Sequence, residues 1–176
     1  MIGRASKVLA IIICSGLILA HAQTPSEYQL KAAFIYNFAK FVEWPSAFGD
    51  PSAPIVVGIL GNDPFGSDIE QAMNGKTVEG RRVVIKRFPN LQSLAPCHIL
   101  FVSSSQRSNL PQIFAAVAGS GVLTVGETDR FAEAGGVIHL GMNEGRVRLV
   151  INQAAAERSR LKISAKLLSL ARVIRN

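Results

Sequence analysis

Four short runs constrain the fold more than anything else in this chain. "APIVVGILG", "RRVVIKRF", "HILFVSSS" and "GVLTVGE" are β-branched or continuously apolar over four to eight residues. Runs of that length and type are strands, and those apolar throughout are strands buried on both faces. Helix-type stretches fall between them. Ser67 to Met73 is a short helix ended by Asn74-Gly75, and Leu110 to Ala118 carries Pro111 in its first turn. Thr128 to Ala134 has room for one or two helical turns before Gly135-Gly136. Strands that alternate with helices build right-handed βαβ units around a mostly parallel sheet. "VIHLGM" and "RVRLVIN" flank Asn143-Glu144-Gly145, a tight turn that predicts a C-terminal antiparallel hairpin. The fold class is therefore α/β: one three-layer α/β/α domain with that hairpin and a terminal helix.

The ends of the chain complete this reading. Thr24-Pro25-Ser26-Glu27 is a helix start, because Thr24 or Ser26 can accept an orphan N–H and Glu27 suits the positive end of the dipole. The helix is predicted to run to about Val42 and stop before Trp44-Pro45. On a helical wheel Leu30, Ala33, Phe34, Phe38, Phe41 and Val42 share an apolar sector, with Gln29, Tyr36, Lys40 and Glu43 opposite. That sector is wide enough to predict a homodimer interface as well as a sheet contact. At the other end, a helix is predicted from near Gln153. Within it, Leu161 to Ile174 reads as amphipathic: Ile163, Leu167, Leu170, Ala171 and Ile174 follow helical spacing, and Arg158, Lys162 and Lys166 step by four along a basic ridge.

"MIGRASKVLAIIICSGLILAHAQ" has the layout of a secretory leader: Arg4 and Lys7, an apolar run from Val8 to Ala20, then Ala20-His21-Ala22. The run is shorter than the roughly 20 residues a membrane span needs. Cleavage is predicted after Ala22, giving an exported, periplasmic domain over residues 23–176. Losing Arg4 and Lys7 lowers the formal charge from +7 to +5. A mild basic excess suits an acidic partner or an anionic surface, and neither its density nor export suits nucleic acid. Cys14 leaves with the leader, so Cys97 has no intramolecular partner and no disulfide is expected.

A search for reactive groups finds little. Gly58, Gly61 and Gly66 follow the first strand, but their spacing fits neither a dinucleotide fingerprint nor a P-loop. His98 and His139 sit inside predicted strands with no metal-ligand spacing around them. Cys97 and His98 are adjacent in a strand, so they point to opposite faces and form no nucleophile–base pair. No cofactor or metal is expected, and no catalytic residue. Ser103, Ser104 and Ser105 end a strand where α/β ligand sites form, and Asn62 and Asp63 end another. These five are the candidate ligand-pocket residues, although the serines also suit a helix cap.

"KAAFIYNFAKFVEWP" (residues 31–45), "CHILFVSSS" (97–105) and "INQAAAERSRLKISAKLLSLARVI" (151–174) together resemble the YfiR family, also called HmsC-like or DUF4154, over about Tyr28 to Ile174. The resemblance implies a non-enzymatic periplasmic repressor. It would hold an inner-membrane diguanylate cyclase inactive through the cyclase's periplasmic region and so control cyclic di-GMP and biofilm formation. An outer-membrane lipoprotein would sequester it. Redox-controlled relatives carry paired cysteines; Cys97 matches one such position and lacks a mate here, so burial as a small hydrophobe is expected. A repressor needs a contact surface. The candidates are Tyr36, Lys40 and Trp44 on the first helix and Arg158, Lys162 and Lys166 on the last. The alternative is a periplasmic sensor that binds a small ligand at Asn62, Asp63 and Ser103 to Ser105.

Overall fold

The computed structural model describes residues 24–45, 50 and 52–176. The predicted leader and its cleavage point lie outside the described residues. Helix α1 spans Glu27–Phe41 and is fixed by a capping box: the Ser26 hydroxyl accepts the Gln29 N–H, and the Gln29 side chain accepts the Ser26 N–H. Strand β1 (Val42–Glu43) follows at once. Then come β2 (Ile55–Leu60), α2 (Asp68–Met73), β3 (Thr77–Val78), β4 (Arg81–Phe88), β5 (Ile99–Val102), α3 (Leu110–Ala116) and β6 (Leu123–Gly126). The chain ends with β7 (Ile138–Asn143), β8 (Arg146–Asn152), α4 (Gln153–Arg158), β9 (Lys162–Ile163), α5 (Ala165–Leu168) and β10 (Arg172–Ile174).

Eight strands form one sheet in the order β10-β8-β7-β6-β5-β2-β4-β3. The run from β4 through β2, β5 and β6 to β7 is parallel, as the apolar strands predict. β7 and β8 make the predicted hairpin, with Asn143 opposite Arg146. Both faces are covered. Ile35 and Phe38 of α1, Ile69 and Met73 of α2 and Leu167 of α5 pack on one face, over Val57, Ile59, Ile99 and Phe101. Leu110 and Ile113 of α3 pack on the other, over Leu60, Leu100 and Val102. Each such side chain contributes about 1.5–3 kcal/mol when fully buried. The stretch from Thr128 to Ala134 forms hydrogen-bonded turns instead of a regular helix. Those turns seat Phe131 against Gly126 and Gly136, where an added Cβ would collide with its ring.

Two expectations are corrected. The buried side of α1 is Lys31, Ala32, Ile35, Phe38 and Ala39, while Ala33 is exposed and Phe34 and Phe41 are half-buried. The face is rotated from the predicted sector because a lysine is buried in it. The terminal helix is also not continuous. α4 starts at Gln153 as predicted, then stops: Arg160 adopts a left-handed conformation (φ 58°), and the Leu161 N–H turns back to Ala156 O. Leu161 is buried at that turn. β9 then pairs with β1, and β10 pairs in parallel with β8. The β-branched residues Ile163, Val173 and Ile174 find unpaired strands here, and that tertiary option overrides the helical periodicity. Leu170, placed on the apolar stripe by spacing, is 65% exposed.

Candidate functional site

The surface that gathers three of the predicted contact residues, Tyr36, Lys40 and Lys166, begins where α1 ends. β1 and β9 pair antiparallel, placing Val42 opposite Ile163 and Glu43 opposite Lys162. The Ser164 N–H donates to Phe41 O at 2.9 Å, and the Ser164 hydroxyl caps α5 by accepting the Leu167 N–H. These bonds hold α5 beside the last turn of α1. Lys166 therefore lies over the Phe41 ring, 5.1 Å from its centroid. Lys40 sits between two rings, 5.7 Å from Tyr36 and 5.9 Å from Phe41. Lys76, from the turn between α2 and β3, lies 4.8 Å from the Tyr36 ring. The Tyr36 hydroxyl donates to Thr77 O at 3.1 Å, which fixes that ring against the turn.

Three exposed lysines and two half-buried aromatic rings thus form one row: Lys76, Tyr36, Lys40, Phe41, Lys166. Each exposed cation–π contact contributes about 0.5–1 kcal/mol. The chemistry on offer is recognition. Ammonium groups meet carboxylates or phosphates, and the ring edges between them meet apolar side chains.

The other sequence candidates fall elsewhere. Trp44 is half-buried, donates its indole N–H to His98 O at 3.1 Å and meets the His98 ring edge-on. Arg158 closes α4 and donates to Asn176 O at 3.3 Å. Lys162 faces outward from β9. The break after α4 takes Arg158, Lys162 and Lys166 off a common helical face, and of the three only Lys166 joins the aromatic row.

The ligand-pocket candidates meet at the crevice where strand order reverses, between the ends of β2 and β5. There Asn62, Ser103 and Ser105 bond to one another. The Ser105 hydroxyl accepts the Asn62 N–H at 3.0 Å and packs against Gly61. Ser103 is buried and caps the 3-10 turn 104–109 by accepting the Ser105 N–H, while Ser104 is exposed. Asp63 turns away, accepting Phe65 N–H at 2.8 Å and Arg87 Nε at 2.7 Å.

Cys97 is buried, and burial pushes its thiol up to about 12. His98 Nδ1 accepts Val56 N–H at 3.1 Å, and its Nε2 lies 3.0 Å from Arg81 Nη2. Burial and then the Arg81 charge push that imidazole down to about 4. His139 Nδ1 lies 3.0 Å from Thr128 O. Among the described residues, no three His, Cys, Asp or Glu side chains are grouped to hold a metal ion. No described helix is long and apolar enough to cross a membrane.

The sequence pattern of DUF4154, described as YfiR/HmsC-like, matches residues 28–172, from the first turn of α1 to the start of β10. The chain belongs to the YfiR/HmsC-like family. No curated protein matches it by sequence. Two solved structures resemble this YfiR/HmsC-like domain in fold. One is a conserved domain protein from Vibrio cholerae, at 14% identity and a TM-score of 0.57, covering 83% of this chain and 59% of that one. The other is an ABC domain from Streptococcus pneumoniae solved in complex with L-Trp, at 15% identity and a TM-score of 0.50, covering 68% of this chain and 55% of that one. The chain thus spans little more than half the length of either structure.

Within this YfiR/HmsC-like domain, two features escape sequence reasoning. Lys76 joins the aromatic row from a turn with no motif of its own. Lys31 is buried in an ionic cluster, 2.5 Å from Glu27 and 2.7 Å from Glu127. The spacing of Glu27 and Lys31 by four residues was the available signal for half of that cluster. Nothing local points to Glu127.

Proposed function

We propose that the protein is a periplasmic regulator that restrains an inner-membrane diguanylate cyclase by direct contact, and so controls cyclic di-GMP and biofilm formation. The observation that carries this reading is the family match over residues 28–172, which leaves almost none of the described domain outside it. The lysine–aromatic row supports it as the contact surface, because its ammonium groups and ring edges suit recognition. An acidic periplasmic segment of the cyclase, or of an outer-membrane lipoprotein that sequesters the regulator, has the complementary charge.

Deleting the protein in its native cell is expected to raise cyclic di-GMP, measured by mass spectrometry of cell extracts. Lys40→Glu combined with Lys166→Glu is expected to reproduce a large part of that rise, since the pair turns attraction into repulsion. Both lysines are exposed, so circular dichroism of the variant should match the parent. Unchanged cyclic di-GMP in the deletion strain would sink the regulatory reading. A normal level in the charge reversal alone would move the contact off the row.

A further inference from the structure

The sheet has one edge that the chain itself leaves open. β3 pairs with β4 through only two residue pairs, Val78 with Arg81 and Thr77 with Arg82. Upstream of β3 the chain cannot stay alongside β4. Gly75 adopts a left-handed conformation (φ 67°) and the Lys76 N–H folds back to Met73 O at 3.0 Å, so the backbone peels away into α2. From Val83 onward β4 has β2 on one side and, among the described residues, no strand on the other.

The orientation of the open groups follows from one bond. Gly61 N–H donates to Phe88 O, so the polar groups of Phe88 face β2. Alternation along the strand turns Val84 and Lys86 the same way, and it turns the N–H and C=O of Val83 and Ile85 outward. Beside them lies an open groove of about 700 Å³, lined by Met73, Lys76, Arg82, Val83 and Ile85 among others. The side chains of Val83 and Ile85 lie on the α1–α2 face of the sheet, and those of Arg82 and Lys86 project from the other.

We propose that this edge accepts an extended acidic segment of a partner protein as an added strand. Its backbone would pair with Val83 and Ile85, filling the line that β3 abandons. Apolar side chains on alternate positions would lie in the groove over Val83, Ile85 and Met73. The acidic ones between them would face Arg82 and Lys86. Charge selects this occupant. The one acid lining the groove, Glu70, is held by Arg87 at 2.6 Å, which leaves Lys76 and Arg82 as the groove's cations, with Lys86 next along the same strand. A second copy pairing through the same edge would bring two sets of these cations together, which like-charge repulsion opposes. The inference does not rest on the cyclase reading, because it concerns what the domain binds and not which signal follows.

The test uses the purified protein and a fluorescent eight-residue peptide alternating glutamate and valine. Saturable binding by anisotropy is expected, and amide exchange at Val83 and Ile85 should slow at least tenfold in the complex. A lysine–valine peptide of equal length should not bind. Arg82→Glu with Lys86→Glu should weaken binding at least tenfold without changing the circular dichroism. If the double reversal unfolds, Arg82→Gln with Lys86→Gln serves, with an expected loss of at least threefold. Binding without protection at Val83 and Ile85, or equal binding of the lysine peptide, overturns the proposal. So does absence of binding, or protection that grows with protein concentration alone, which would make a second copy the occupant. These readouts need no cell, so their failure and that of the cyclic di-GMP experiment are separate events.

Discussion

Lys31 is 2% exposed on the sheet-facing side of a helix, where an unpaired ammonium would not stay charged. Burial alone would lower its proton affinity. Hydrogen bonds to Glu127 and Glu27 outweigh that, and the group is raised above an ordinary lysine. Its Nζ also lies 4.8 Å from the Tyr28 ring. Removing Glu127, the buried partner, leaves Lys31 only the solvent-exposed Glu27 to compensate its charge. Glu127→Ala is therefore expected to destabilise the domain by on the order of 3 kcal/mol in urea unfolding, and Lys31→Met with Glu127→Leu by clearly less. Equal losses would mean that the pair is not coupled. His98 gives a pH dependence of definite sign. Its folded value of about 4 lies below the unfolded value of about 6.5, so the unfolded chain binds the extra proton between them. The contribution is complete above pH 6.5 and is lost as pH falls toward 4, amounting to on the order of 3 kcal/mol. Unfolding midpoints between pH 7 and 4.5 should show that fall, and His98→Gln should flatten it. A fall as steep in the variant would assign the dependence to other groups. Apart from Glu27 and Tyr28, the partners of these two residues are distant in sequence, so the pattern of residues around Lys31 and His98 could not announce them.

At the scale of elements, strands were the most legible part. The limits of β4 coincide with "RRVVIKRF", and the hairpin turns where Asn143-Glu144-Gly145 places it, because β-branched runs and tight-turn residues act locally. The terminal segment was not legible. Ile163, Leu167, Leu170 and Ile174 keep a helical period, yet the stretch becomes strand, one helical turn and strand. The deciding facts are a free flank on β8 and a short strand at the end of α1, both of which exist only once the sheet is assembled. Leucines of this segment consequently differ in weight. Leu167 is 1% exposed and Leu170 is 65% exposed. Leu167→Ala is expected to cost about 2–5 kcal/mol and Leu170→Ala less than about 0.5 kcal/mol. Similar losses for the two in urea titration would contradict the broken helix and support a continuous amphipathic one.

For the whole molecule, the α/β class follows from the order of element types, while the candidate surface follows from their assembly. Tyr36 and Lys40 were legible because they share the polar side of one helix. Phe41 read as core on the wheel, and Lys76 and Lys166 reach the same row from other segments. Charge patterning along a chain cannot report cations that only the fold brings side by side. The pairing of β1 with β9 has a consequence for the order in which the molecule is made. Val42 and Ile163 stand about 120 residues apart, so their contact closes a long loop. A chain emerging from its amino end can form α1 early, but it cannot place Lys166 over Phe41 until nearly all of it has been delivered. The sheet edge at β4 is finished well before that. During synthesis or transport the two basic surfaces therefore mature at different times, and a polypeptide cut short before residue 162 carries Tyr36, Lys40, Phe41 and Lys76 but lacks the Lys166 that completes the aromatic row.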